Sequence, residues 1–344
     1  GVSALMNNKI TQLTIPQDVT IQEIAFKCNK ITHLTICDNV TLLEEAFAEN
    51  PINKITIKGG ETPIAFDKQK FAIPFPFERT STNTTYIIKD NKWIIDYYPI
   101  TEDETGKHLE IHDSVTTIPR LHFAEQGLTS VIIGNNVETI GTNAFISNNI
   151  TSLKIGNNVK TIGDYAFEQN RSKIDKLTIP EGITIGPEAF SWNKIGHLTL
   201  SQNITIKERA FYGSNITKLT LSPNITIGRQ AFQHSNLTQL TIPEKVTIDS
   251  VAFQYSNLTQ LTLPPNITIG GGAFADNNLT QLIIPEGTKI GILTFYNNDI
   301  KELTIPEGVS IEQFAFTNNP INKITIKGGK PSTKLDFHAE SFGI

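Results

Sequence analysis

The sequence predicts a solenoid of stacked parallel coils, and three observations carry that prediction. The first is near-verbatim repetition: "SNLTQLTIPEKVTIDSVAFQY" at 235–255 is followed directly by "SNLTQLTLPPNITIGGGAFAD". The second is a fixed period. An Ala-Phe pair, or a close relative of it, ends at Phe26, Phe47, Phe145, Phe167 and Phe190, and from Phe190 to Phe316 every step is 21 residues. The third is an apolar-x-apolar triplet such as "LTI", which recurs in the same frame from Leu13 to Ile324. A unit this short cannot bury its own apolar edge, so identical units must stack and bury it between them.

Each element of the coil follows from its residues. In "NKITQLTIPQDVTIQEIAF" (8–26), Leu13 and Ile15 alternate with Gln12 and Thr14, which is a strand with one face inward. Val19 and Ile21 repeat the pattern as a second, shorter strand. Pro16, Pro180, Pro243, Pro264, Pro285 and Pro306 follow the first strand, where a missing N–H ends the ladder. Three residues after each Ala-Phe comes Asn or Ser, as at Asn29, Asn50, Asn148, Ser214, Ser256 and Asn277. Those side chains are expected to bond turn backbone left unpaired inside the stack.

The repeat also divides the chain. Residues 1–60 read as a first array that begins inside a unit, because Ala4-Leu5 lies 21 residues before Ala25-Phe26. That start suggests an excerpt from a longer modular protein. Residues 61–107 read as a cap and an aromatic connector, 108–330 as a second array, and 331–344 as a C-terminal cap. The phrase "NPINKITIKGG" at 50–60 returns at 319–329, followed by "FDKQKFAI" and "FHAESFGI" respectively, as expected of capping ends. Within the connector, "YIIKDNKWII" predicts a β-hairpin turning at Asp90-Asn91. Its aromatics include Trp93, Tyr97 and Tyr98, which are candidates for a binding tip or for packing the hairpin onto the arrays.

The spacing of Ile10, Leu13 and Ile15 matches the phrase LxxLxL. The units "LTIPEKVTIDSVAF", "LKIGNNVKTIGDYAF" and "VIIGNNVETIGTNAF" resemble the BspA-like leucine-rich repeats of bacterial cell-surface proteins. Most units here depart from that pattern by reading "VTI" where the longer ones read "VxTIG". The resemblance implies a leucine-rich-repeat solenoid of the α/β horseshoe class, dominated by β-structure. It would have parallel coils of 21–23 residues with two short strands each, plus the inserted aromatic hairpin. It further implies an extracellular or cell-surface location and a role in adhesion, with a host or matrix protein or a glycan as ligand.

Chemistry-bearing patterns are sparse. A net charge of −5 gives no polybasic surface, which argues against nucleic acid, and no apolar run is long enough for membrane insertion. Paired carboxylates, a phosphate-binding glycine loop and a nucleophile elbow are missing, so neither an enzyme nor a cofactor is expected. His108, His112 and His122 fall close together without an acidic or cysteine companion at ligand spacing, so no metal site is expected. His33 and His197 share one outward position. Cys28 and Cys37 lie on neighbouring coils, and both a disulfide and two free thiols are open. Asn215, Asn236, Asn257 and Asn278 begin Asn-x-Thr sequons, which the repeat itself generates.

Two outward surfaces remain. The turn after Ala-Phe carries Trp192, Tyr212, His234, Tyr255 and Tyr296 along one edge, the first choice for a partner-binding site. The outward threonines of the first strand, from Thr14 to Thr325, form a polar column like those of ice-binding solenoids, though β-branched residues suit any exposed strand. A structural spacer that displays other domains is the alternative to adhesion.

Overall fold

In the computed structural model the described residues are 4–58 and 100–328, apart from 38, 39, 44, 113 and 171. Between those stretches it describes the strand backbones Ile64–Ala65, Arg79–Thr80, Thr85–Lys89 and Lys92–Asp96. Every regular element among the described residues is a strand. The chain forms two compact units, Gly1–Pro99 and Ile100–Ile344.

In the first unit, Gln12–Ile15, His33–Ile36 and Lys54–Ile57 pair in parallel, with Leu13, Leu34 and Ile55 in one register. The expected hairpin is present: Thr85–Lys89 pairs antiparallel with Lys92–Asp96, setting Tyr86 opposite Ile95 and Ile88 opposite Trp93. Its first strand pairs antiparallel with Lys54–Ile57. The side chain of Trp93, and all of Tyr97 and Tyr98, lie outside the described residues.

In the second unit the two strands of each coil behave differently. The two-residue strands form one unbroken parallel ladder of ten, from Thr117–Ile118 to Ser310–Ile311. The first strands, up to seven residues long, are divided into four separate sheets. One division lies between Ser152–Lys154 and Lys173–Ile179, where the Phe167-to-Phe190 step carries extra residues. The others fall between Lys218–Leu221 and Gln239–Thr241, and between Gln260–Thr262 and Gln281–Ile283.

The repeated phenylalanines are the axis of the core. From Phe145 to Phe316 they are fully buried, and consecutive rings stack near-parallel, at 4.9 Å for Phe145 on Phe167 and 5.7 Å for Phe274 on Phe295. That spacing is close to the ~4.8 Å between paired strands, so ring column and backbone ladder share one repeat. Burying each ring contributes about 1.5–3 kcal/mol, and the stacked contact adds about 0.5–1.5 kcal/mol.

Asparagine and serine close the turns as their positions predict. Asn277 Nδ2 donates to the carbonyls of Phe253 and Phe274 at 2.9 and 3.1 Å, while its Oδ1 accepts from Leu258 N–H at 2.9 Å. Asn50, Asn148, Asn298 and Asn319 repeat the two donations to phenylalanine carbonyls. Ser256 Oγ replaces one of them, donating to Phe232 O. Backbone bonds between coils run in two senses. In the turn, N–H donates forward to the next coil, as Phe26 to Ala46 O, whereas in the short strand it donates back, as Thr41 to Val19 O.

Candidate functional site

The turn edge is built on an unusual backbone. The residue two places after each phenylalanine has positive φ, including Trp192 at 57°, His234 at 60° and Tyr255 at 57°. Left-handed backbone at a non-glycine residue costs about 1–2 kcal/mol. Here the inter-coil bonds impose it: Trp192 N–H donates to Tyr212 O at 2.8 Å and His234 N–H to Gln254 O at 3.0 Å. Cys28, Glu49, Gln169 and Asn318 share the conformation, so it belongs to the fold and leaves the side chain free to vary.

Four of the five expected edge residues come together. Trp192 meets Tyr212 edge-on at 5.2 Å, Tyr212 meets His234 edge-on at 5.4 Å, and His234 stacks on Tyr255 at 4.9 Å. Trp192 is 55% exposed and Tyr255 45%. Gly213 makes room for the indole, since a Cβ there would lie 2.8 Å from Trp192 Cε3. Tyr296 stands apart, its hydroxyl accepting from Asn318 Nδ2 at 2.9 Å. It lies one place after its phenylalanine and two coils beyond Tyr255, with Ala275 and Asp276 on the coil between.

Beside the rings runs a polar chain that sequence reading missed. Arg209 Nε donates to Gln230 Oε1 at 2.9 Å, Gln230 to Gln233 at 2.6 Å, Gln233 to Gln254 at 2.7 Å, and Gln254 to Asp276 Oδ2 at 2.8 Å. Arginine can only donate and a carboxylate only accept, so the charged ends fix the orientation of all three glutamines between them. A chain polarised in one sense strengthens each of its bonds. Arg209 also stands over the Tyr212 ring, 5.7 Å from its centroid. The Asp276 charge at the other end pushes the Tyr255 phenol above its ordinary pKa.

Other expected positions resolve separately. His108 Nε2 lies 3.0 Å from Asp103 Oδ1, whose carboxyl is held well below the usual range by hydrogen bonds from Thr105 and His108. His112 Nδ1 instead faces Ser114 Oγ at 2.7 Å, so the two histidines serve different partners. His197 Nε2 lies 3.0 Å from Thr220 Oγ1, and partial burial lowers its pKa. Cys28 and Cys37 are free thiols. Cys28 Sγ donates to Glu49 Oε2 at 3.1 Å, and that bond raises the thiol pKa.

The expected threonine column is divided with its sheet. Thr178, Thr199 and Thr220 are in register, as are Thr241 and Thr262, but the sheet breaks between these sets and Ile283 interrupts the column at 76% exposure. The unbroken threonine column is on the short strands, from Thr117 through Thr139, Thr161, Thr184 and Thr205 to Thr268. At the three divisions open grooves of about 590, 600 and 500 Å³ appear. Lys154, Lys176 and Glu181 line the first, and threonine, glutamine and leucine the other two.

Comparison with known proteins agrees with this architecture. A leucine-rich repeat protein from Bacteroides ovatus matches with a TM-score of 0.52 and 17% identity, over 68% of this chain and 76% of its own. A leucine rich cell surface protein from Faecalibacterium prausnitzii matches at 19% identity, a TM-score of 0.30, and coverage of 73% and 96%. The pneumococcal vaccine antigen PcpA matches at 19% identity, a TM-score of 0.36, and coverage of 70% and 81%. No curated protein sequence gives a significant match. The family model described as "BspA type Leucine rich repeat region (6 copies)" matches residues 1–71, 101–217, 183–300 and 225–338. With its coils, its phenylalanine column and most of its length accounted for in this way, the chain belongs to the BspA-type leucine-rich repeat family.

Proposed function

We propose that this chain is a non-catalytic interaction module of a bacterial surface protein, and that it holds a host or matrix protein on the ring array Trp192–Tyr212–His234–Tyr255. The observation that supports this is the array itself: four consecutive aromatic groups kept near solvent on a rigid ladder and flanked by a fixed chain of polar bonds. Exposed Trp and Tyr on a preorganised backbone supply contact area at little entropic cost. The surface location rests on the family resemblance.

The test is surface plasmon resonance of the chain against a panel of matrix and serum proteins, with immobilised glycans as a second arm. The expected result is a saturable protein partner whose Kd rises at least about tenfold in each of Trp192→Ala and Tyr255→Ala. Melting temperatures should stay close to the parent, because neither side chain belongs to the buried core. Unchanged affinity in both variants rejects the ring array. Loss in Trp93→Ala or Tyr97→Ala instead transfers the site to the hairpin. The alternative role, a spacer, draws support from the unbroken ladder of ten strands, and a panel with no saturable partner favours it.

A further inference from the structure

The net charge of −5 conceals one local basic face. Among the first strands of the second unit, Lys176, His197 and Lys218 stand side by side on three consecutive coils, and Lys173 stands beside Lys194. All four lysines are exposed. The strands that carry them, Lys173–Ile179, Lys194–Leu200 and Lys218–Leu221, hold a single acid, Asp175, which pairs with Lys173 at 2.7 Å. The next coil has Gly196 at that place, so the acid is not repeated. Burial, and after it the charges of Lys218 and Lys176, lower the pKa of His197.

Like charges in register on strands ~4.8 Å apart repel one another, and the coil does not require them here. Farther along, the same column sets neutral Gln239 beside Gln260, Gln281 beside Glu302, and Glu302 beside Lys323, an ion pair at 3.4 Å. The repeat therefore accepts neutral or compensated residues at this position, and the lysine cluster is an added electrostatic cost. A local conflict of this kind, kept on a rigid sheet, marks a place where a ligand supplies the missing charge.

A groove lies at the head of the basic columns. Where the sheet divides before Lys173–Ile179, Lys154 and Lys176 line an open space of about 590 Å³ together with Thr178 and Ser201. Glu181 lines it too, its carboxylate accepting from Gln202 Nε2 at 2.8 Å. Thr178, Thr199 and Thr220 form an in-register row of hydroxyls beside the lysines. The three strands contain no Phe, Tyr or Trp, so they offer unstacked nucleic-acid bases no platform of the usual kind.

We propose that the face formed by Lys154, Lys173, Lys176, Lys194 and Lys218 binds a linear sulfated polysaccharide, with its anionic groups on the lysines and its hydroxyls on the threonine row. Such a chain repeats its anions and hydroxyls along one line, as the face repeats lysine and threonine from coil to coil. The site is separate from the ring array and does not depend on it.

The probe is a fluorescent heparin oligosaccharide, titrated by anisotropy into the full chain at low ionic strength. Saturable binding is expected, weakening as salt is added because exposed charges are screened. Lys176→Gln and Lys218→Gln together should raise Kd at least about tenfold. Glutamine is what the column carries at Gln239, Gln260 and Gln281, so this variant should melt no lower than the parent. A second double variant, Lys207→Gln with Lys289→Gln, removes the same charge beside the short strands and should bind as the parent does. Absence of saturable binding overturns the proposal. So does equal weakening in the two double variants, which would mean that the probe reads net charge alone. Oligothymidylate and polyglutamate are the competing probes: tighter binding of either gives the face to nucleic acid or to an acidic protein and overturns the proposal. Trp192→Ala should leave heparin binding unchanged, and loss of binding there would move the polysaccharide to the ring array and overturn the proposal as well.

Discussion

The two faces of the second unit differ in a way that strand length does not anticipate. Strands of two residues make a continuous ladder of ten, whereas strands of three to seven residues divide into four sheets. The short strands lie close in sequence to the stacked phenylalanines and the bonded turns, which hold neighbouring coils near the backbone repeat. The longer strands begin one to four residues beyond the asparagine or serine bracket, and one of their three divisions falls where a coil lengthens, at the step from Phe167 to Phe190. Continuity of a ladder therefore does not follow from how many bonds each of its strands can form.

The largest predicted effect breaks both faces together. Phe232→Ala removes one ring from the shared column and should cost about 3–5 kcal/mol, read as a lowered urea midpoint. A loss below about 1 kcal/mol would mean that the column does not hold the coils in step. Next is Asn277→Ala, which leaves the Phe253 carbonyl and the Ser256 and Leu258 amides without the side chain that bonds them, while the Phe274 carbonyl keeps Asn298 Nδ2. A cost of about 2–3 kcal/mol is expected, and Asn277→Ser should recover part of it, because Ser256 performs a similar task one coil earlier. The smallest effect sharpens the comparison without mutation. In native-state hydrogen exchange, amides of Thr226–Ile227 and Thr247–Ile248 in the continuous ladder should exchange at least about tenfold more slowly than those of Gln239–Thr241 beside a groove. Equal rates would show that the divisions are closed in solution.

Much of this molecule was legible as text because a solenoid places like residues over like. The phenylalanine period, the strand at Leu13–Ile15 and the bracket at Asn277 all follow from one unit read once. Relations between different positions on neighbouring coils were not legible. Arg209, Gln230, Gln233, Gln254 and Asp276 shift from before the phenylalanine to after it as the polar chain crosses the coils, so no single column reveals them. Tyr296 shares the place of Tyr212, one after its phenylalanine, but the coil between it and Tyr255 carries Ala275 and Asp276 and so supplies no ring to continue the array. Gly213 reads as a variable residue until Trp192 is seen above it. The divisions of the first-strand sheet left no mark at two of their three positions, since those coils have equal length.

The opposed senses of the inter-coil hydrogen bonds carry an electrical consequence. In an α-helix every peptide points one way, and the ends accumulate partial charge. Here forward-pointing turn amides and backward-pointing short-strand amides oppose one another along the stacking direction. Adding a coil therefore adds peptide dipoles of both senses, whereas each turn added to a helix adds dipoles of one.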